Sequence, residues 1–183
     1  MVDKMEFVDD FPSSYVVDVN PDWPDRGEEV IPFPAYSTLN VHTGEFHNVR
    51  FFLKAGGSWI GQFELGQRGG FENSVFTTPT PSQACVISSG AGYWVDAEER
   101  HATRIECLPI TQAIVTVKHS WIIIATWSDL FAYSSPNATW SLLNLANDRL
   151  RITGIKEDIL TAVGFEMGGM IEMHINLLTG QLI

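Results

Sequence analysis

The chain has 183 residues, 45% of them hydrophobic and 18% charged, with a formal net charge of −11. That length suits one domain and lets the chain bury about 70% of the surface it would expose unfolded, so a core needs neither a disulfide nor a metal. The negative field, without any basic stripe, speaks against nucleic acid and against an anionic membrane surface, and it favours encounter with a cationic protein.

Residues 1–35 stand apart in composition. They hold nine acidic side chains against Lys4 and Arg26, and five of the nine prolines (Pro12, Pro21, Pro24, Pro32, Pro34). Proline removes a backbone donor and pushes its predecessor to extended conformations. The segment therefore reads as an extended acidic N-terminal arm with one short strand at Tyr15–Val19. Five aromatics, Phe7, Phe11, Tyr15, Trp23 and Phe33, imply that it packs against the body or a partner. The start of the chain lacks a cationic stretch and an apolar core, so it does not read as a secretory signal. No apolar run approaches a membrane span. A cytoplasmic protein is the expectation.

The remaining 36–183 reads as one all-β domain. Val49–Lys54 and Trp59–Leu65 flank an Ala-Gly-Gly-Ser turn. Gly66–Gly70, which contains Arg68, is the loosest stretch. Cys85–Ser88 and Tyr93–Val95 form a hairpin around Ser89-Gly90-Ala91-Gly92, where glycine supplies a positive φ. The charged stretch 96–104 is the one place that reads as a helical turn. Ile114–Lys118 resumes the strands. From Trp121 on, short segments that are wholly apolar (WIIIATW) or alternating (MIEMHINLL) are separated by SSPN, AND, KED, GG and TG turns. That pattern is antiparallel β-meander. The expected architecture is a set of successive antiparallel meanders, arranged as a two-layer sandwich or as a small propeller-like array. LNVHTGEF (39–46) and INLLTGQL (175–182) share one pattern around a Thr-Gly turn and suggest a repeated unit.

The apolar strand at 121, the DLFAY strand, Trp140 after a short turn, Asp148 in the LANDRL turn, the LRITGI strand and the closing Thr-Gly together resemble a set of uncharacterised bacterial all-β proteins over residues 121–180. The resemblance implies a fold and no activity.

Chemistry finds no obvious home. The spacing around Ser58 does not fit a nucleophile elbow, and Gly66–Gly70 lacks the pattern of a phosphate loop. Of the five histidines only His42 and His47 lie close together, and surface hairpin positions explain them better than a metal does. Cys85 and Cys107 sit in apolar contexts and read as buried thiols, with one bridge left open. No cofactor, metal or catalytic residue is implied. Glu98-Glu99 and Glu157-Asp158, with Trp59, Trp94 and Trp127 as platforms, would be the parts of a carbohydrate or ester hydrolase, although tryptophan in a strand is more often core. The preferred reading is a non-enzymatic interaction module, immunity-type or regulatory, that binds a basic partner. Its binding residues would be Asp22, Trp23, Asp25, Glu28 and Glu29, with Arg68 from the loose loop, because an aromatic ringed by carboxylates suits a basic surface. Self-association through the acidic arm is a further possibility.

Overall fold

A computed structural model describes residues 4–22, 24–35, 44–66 and 71–183. Strand dominates it, and the one helical element among the described residues is a 3₁₀ turn at Val117–His119. Among the described residues no helix is long and apolar enough to cross a membrane.

Four sheets account for the strands among the described residues. The first contains β2 (Tyr15–Val19), β3 (Glu29–Phe33), β4 (Phe46–Leu53) and β5 (Ser58–Glu64), in the order β2-β4-β5-β3. The second contains β1 (Glu6–Val8), β6 (Ser74–Thr77), β7 (Gln83–Ser88), β8 (Ala91–Asp96) and β9 (His101–Ile105), in that order. The third runs β10 (Gln112–Thr116), β11 (Trp121–Ala125), β12 (Leu130–Tyr133), β13 (Ala138–Leu142). The fourth runs β14 (Asp148–Lys156), β15 (Ile159–Glu166), β16 (Gly169–Asn176), β17 (Gln181–Leu182). From β6 onward every neighbour pairing is antiparallel, and the second strands of the last three meanders begin at Gln83, Trp121 and Ile159, 38 residues apart each time. This spacing is the repeat of the fold. The Thr-Gly echo shows one shared detail, positive φ at Gly44 (66°) and Gly180 (63°), while residues 39–43 lie outside those described.

The sheets stack face to face in a row. One core cluster joins the first and second sheets through Phe51, Trp59, Phe63, Val86, Tyr93 and Val95. Another joins the second and third through Phe76, Cys85, Ile87, Trp94, Ile122 and Ile124. A further one joins the third and fourth through Ile123, Ala125, Leu130, Leu160, Ala162 and Ile175. The architecture is thus an array of meanders in four layers rather than a two-layer sandwich.

This order of layers explains the hydrophobic patterns. Strands of the second and third sheets are covered on both faces, so β8 (AGYWVD) and β11 (WIIIA) are apolar almost throughout and almost wholly buried. β15 lies in the end sheet with one face covered, and buried and accessible positions alternate along it.

The buried aromatics have polar handles that are satisfied. Trp59 donates to the Ala97 carbonyl at 2.9 Å, Tyr93 to the Glu64 carbonyl at 2.7 Å and Tyr15 to the Gln83 carbonyl at 2.6 Å. These bonds tie the first sheet to the second, where burial of an unpaired donor would cost about 1–3 kcal/mol.

The first strand of each later meander would expose a row of backbone donors and acceptors. Different devices close these edges. β1 pairs in parallel with β6. The Glu72 carboxylate accepts the Ala113 N–H of β10 at 3.3 Å. The Gln112 amide imitates a strand toward β14: its oxygen accepts the Ile152 N–H at 2.9 Å and its nitrogen donates to the Ile152 carbonyl at 3.2 Å.

Two expectations need correction. The stretch 96–104 forms no helix: Ala97–Arg100 is a tight turn in which Asp96 accepts the Glu98 and Glu99 N–H groups (3.1 and 3.0 Å), and His101 already begins β9. Local capping by an aspartate outcompetes helix formation here. The N-terminal segment is extended, yet it is not an appendage. It supplies β1 to the second sheet and both edge strands of the first, so the boundary at 35/36 falls inside one β unit. Main-chain pairing and the burial of Met5, Phe11 and Tyr15 hold it there.

Candidate functional site

β2 and β3 lie on opposite edges of the first sheet, so the chain between them must cross a face of β4 and β5. The inner face is filled by Val49, Phe51, Trp59 and Phe63, packed toward the second sheet. Residues 20–22 and 24–28 therefore lie on the outer face. Asn20 turns the chain with φ of 64°, and its N–H donates to the Asn48 carbonyl at 3.1 Å.

One ion pair fastens the far end of this crossover. Arg50 lies on β4, within an otherwise apolar VRFFL run, and points to the outer face. Its Nε donates to both carboxylate oxygens of Glu28, at 3.0 and 3.1 Å. The side chains of Arg50 and Glu28 retain 10% and 2% of their accessible surface, so the pair is shielded from water. Asp18 stands 3.6 Å from Arg50 on the adjacent edge strand, and the Phe52 ring lies 5.8 Å from the guanidinium carbon. Glu28 also accepts the Asp25 N–H at 3.1 Å, while its own N–H donates to the Asp25 carbonyl at 2.9 Å, closing a tight turn. Burial alone would push the Glu28 carboxyl up; hydrogen bonds from Ser58 and Arg50 outweigh it and hold the group below its ordinary value. The same bond to Glu28 raises Arg50.

Between crossover and sheet lies a recess of about 410 Å³. Pro21, Pro24, Val30 and Ile60 give it apolar walls, and Asp22, Asn48 and Gln62 bring polar groups. Gln62 donates to Asn48 at 3.2 Å, which fixes both amides across β4 and β5. Asp22 and Asp25 are exposed, and the Asp22 carboxylate has no hydrogen bond or ion pair among the described residues.

The residues expected to bind a basic partner therefore divide. Asp22 lines the recess and Asp25 stands beside it. Glu28 is bound up with Arg50. Glu29 turns toward the second sheet, where it meets Arg100 at 2.5 Å in an exposed pair. Trp23 and Arg68 lie outside the described residues, as does His42. Arg50, Ile60 and Gln62 were missed by sequence reasoning. The signal for Arg50 was present: a lone arginine in an apolar strand needs a buried partner or an exposed face.

The other candidates sit elsewhere. Glu98 and Glu99 are exposed in the β8–β9 turn. Glu157 and Asp158 occupy the β14–β15 turn, where Asp158 is engaged by Lys118 at 2.5 Å and His119 at 3.0 Å. Trp59 and Trp94 are buried as expected of core residues, but Trp127 is 48% exposed. It lies past the end of β11 in a turn, beyond the reach of the strand pairing that would bury it. His47 is buried, with Nδ1 2.9 Å from Ser88 Oγ. Cys85 and Cys107 are free and buried; burial drives both thiols up, Cys107 to about 12.

No family model matches the sequence, and no curated protein does. Among solved structures, a chain from the crystal structure of a mitotic checkpoint complex superposes with a TM-score of 0.37 and 13% identity, over 92% of this chain and 68% of that one. A superposition of that quality transfers neither a fold family nor a function.

Proposed function

We propose that the protein is a non-enzymatic interaction module that binds a cationic segment of a partner protein at the outer face of the first sheet. The carrying observation is the recess lined by Pro21, Asp22 and Pro24, with apolar walls and an Asp22 carboxylate that is unpaired among the described residues. Lysine and arginine need this combination: apolar surface for the methylene stem and a carboxylate for the head. A net charge of −11 adds long-range attraction for a basic partner. The Arg50–Glu28 clamp supports the reading because it fixes the crossover in advance, which lowers the ordering cost of binding.

An immunity-type inhibitor and a regulatory adaptor are two forms that such a module takes. Two free buried thiols support a reducing compartment, the cytoplasm in this proposal.

The test is fluorescence anisotropy with a labelled (Lys-Gly)₆ peptide against its citrulline counterpart. The lysine peptide should bind, and binding should weaken as salt rises. D22N/D25N should weaken it about tenfold, the loss of about 1.4 kcal/mol of charge-assisted contact. Equal binding of the two peptides, or an unaffected D22N/D25N variant, would remove the proposal.

A further inference from the structure

The junction of the third and fourth sheets carries a groove whose charge is opposite to that of the chain as a whole. It has a volume of about 430 Å³ and is lined by Thr111, Gln112, Trp127, Arg149, Leu150 and Arg151.

Its framework is rigid. Gln112 clamps Ile152 through both backbone groups, and the Leu150 N–H donates to the Trp127 carbonyl at 2.9 Å. The turn that bears Trp127 is closed on itself. The Thr126 N–H donates to the Asp129 carbonyl at 2.9 Å, and Thr126 Oγ1 accepts the Asp129 and Ser128 N–H groups at 3.0 and 3.3 Å. Asp129 is occupied in turn by the Asn144 N–H at 2.7 Å. A large indole is thus held in solvent by a backbone that cannot easily withdraw it. Its ring is flanked by Phe71, with centroids 6.1 Å apart.

The charges around the groove favour an anion. Arg151 is exposed, and its guanidinium has no hydrogen bond or ion pair among the described residues. Arg149 keeps 76% of its side-chain surface and makes only a loose 3.8 Å contact with Asp148. Its φ of 54° is unusual for a branched-free residue without glycine's freedom, and its guanidinium lies over Phe165 at 5.8 Å. The half-buried Glu72 lines another recess, with Lys4, Glu6 and Thr111, and it is engaged by Ser74 and the Ala113 N–H.

We propose that this groove binds an acidic peptide segment of a partner protein, its carboxylates on Arg149 and Arg151 and an aromatic or proline side chain on Trp127. Tryptophan and arginine together are the composition of binding hot spots, and arginine donates to a carboxylate in a two-pronged geometry. A nucleic acid strand fits less well, because it depends on releasing many counterions and two arginines release few. The site is independent of the recess on the first sheet.

The test uses the whole chain and a labelled (Glu-Phe-Glu-Pro)₃ peptide, its (Gln-Phe-Gln-Pro)₃ counterpart and dT12 in fluorescence anisotropy. The acidic peptide should bind about tenfold tighter than the glutamine peptide at low salt. R149Q/R151Q and W127A should each weaken it by about tenfold, the scale of a modest hot spot. K156Q, which changes an exposed cation elsewhere on β14, should leave it within about twofold. No binding of the acidic peptide, equal binding of both peptides, wild-type affinity in R149Q/R151Q, or tighter binding of dT12 would overturn the proposal.

Discussion

Replacing Arg50 with methionine keeps most of the stem packing and removes the charge, leaving Glu28 with 2% of its side-chain surface accessible and without its cation. Removing one partner of a buried pair costs about 3–5 kcal/mol. Arg50 sits at the margin of the sheet rather than deep in the core, so the lower end applies, about 3 kcal/mol. For a domain of this size that lowers Tm by roughly 6–12 °C. E28Q should cost less, about 1–2 kcal/mol, because Arg50 keeps Asp18 at 3.6 Å. The double variant should recover part of the loss, with a coupling of at least about 1 kcal/mol. Urea unfolding followed by tryptophan fluorescence measures all of these. The pH dependence has a definite sign. The Glu28 carboxyl is held below its ordinary value of 4.5, so its contribution is complete above 4.5 and is lost as pH falls through the lower folded value. The gap between wild type and R50M should therefore be full at neutral pH and narrow below pH 4.5. A cost for R50M under about 1 kcal/mol, strict additivity with E28Q, or a gap that stays constant into acid would refute the clamp.

Gln112→Leu strands the N–H and C=O of Ile152 at the edge of β14; it should cost about 1–3 kcal/mol and speed hydrogen exchange at the Ile152 amide, whereas unchanged protection would contradict strand mimicry by a side chain. Burial holds the Glu72 carboxyl above its ordinary 4.5 against the opposing bonds from Ser74 and Ala113, so wild type should lose stability relative to E72Q as pH rises from 4.5 through the folded value; a constant difference across that range would refute the burial cost. Gly164 faces Ala146 across the core between the third and fourth sheets, and an added Cβ would lie 2.5 Å from the Ala146 Cβ; G164A should cost about 1–3 kcal/mol in thermal unfolding, and an unchanged Tm would mean that the two sheets pack less closely than described. Cys85 and Cys107 should resist a thiol-disulfide reagent at pH 8 in the native chain and both react in urea; rapid native labelling of either would show that the core between the second and third sheets opens.

Part of the site was legible in sequence and part was not. The acidic, proline-flanked stretch 20–29 read as lying outside a sheet interior, since prolines and carboxylates are disfavoured there, and it borders the recess. Its division of labour was hidden. Whether Glu28 faces solvent or a cation depends on Arg50, 22 residues later on a central strand, and on which face of that sheet the crossover takes. The exposure of Trp127 was equally hidden, because WIIIATW reads as one apolar strand until the turn at Thr126 takes the second indole out of it.

The amino-acid sequence by itself determined the β class and the meander, because side-chain alternation and turn residues act over a few positions. It also encoded the layers: strands apolar throughout belong inside the stack, and alternating strands belong at its end. Only the tertiary structure decided that β1 joins β6 in parallel, that Pro21, Asp22 and Pro24 lie over the outer face of the first sheet, and that Gln112 closes the edge of a strand 40 residues away. Those choices rest on contacts between distant segments, where the energy of a pair belongs to neither residue alone and leaves no local pattern to read.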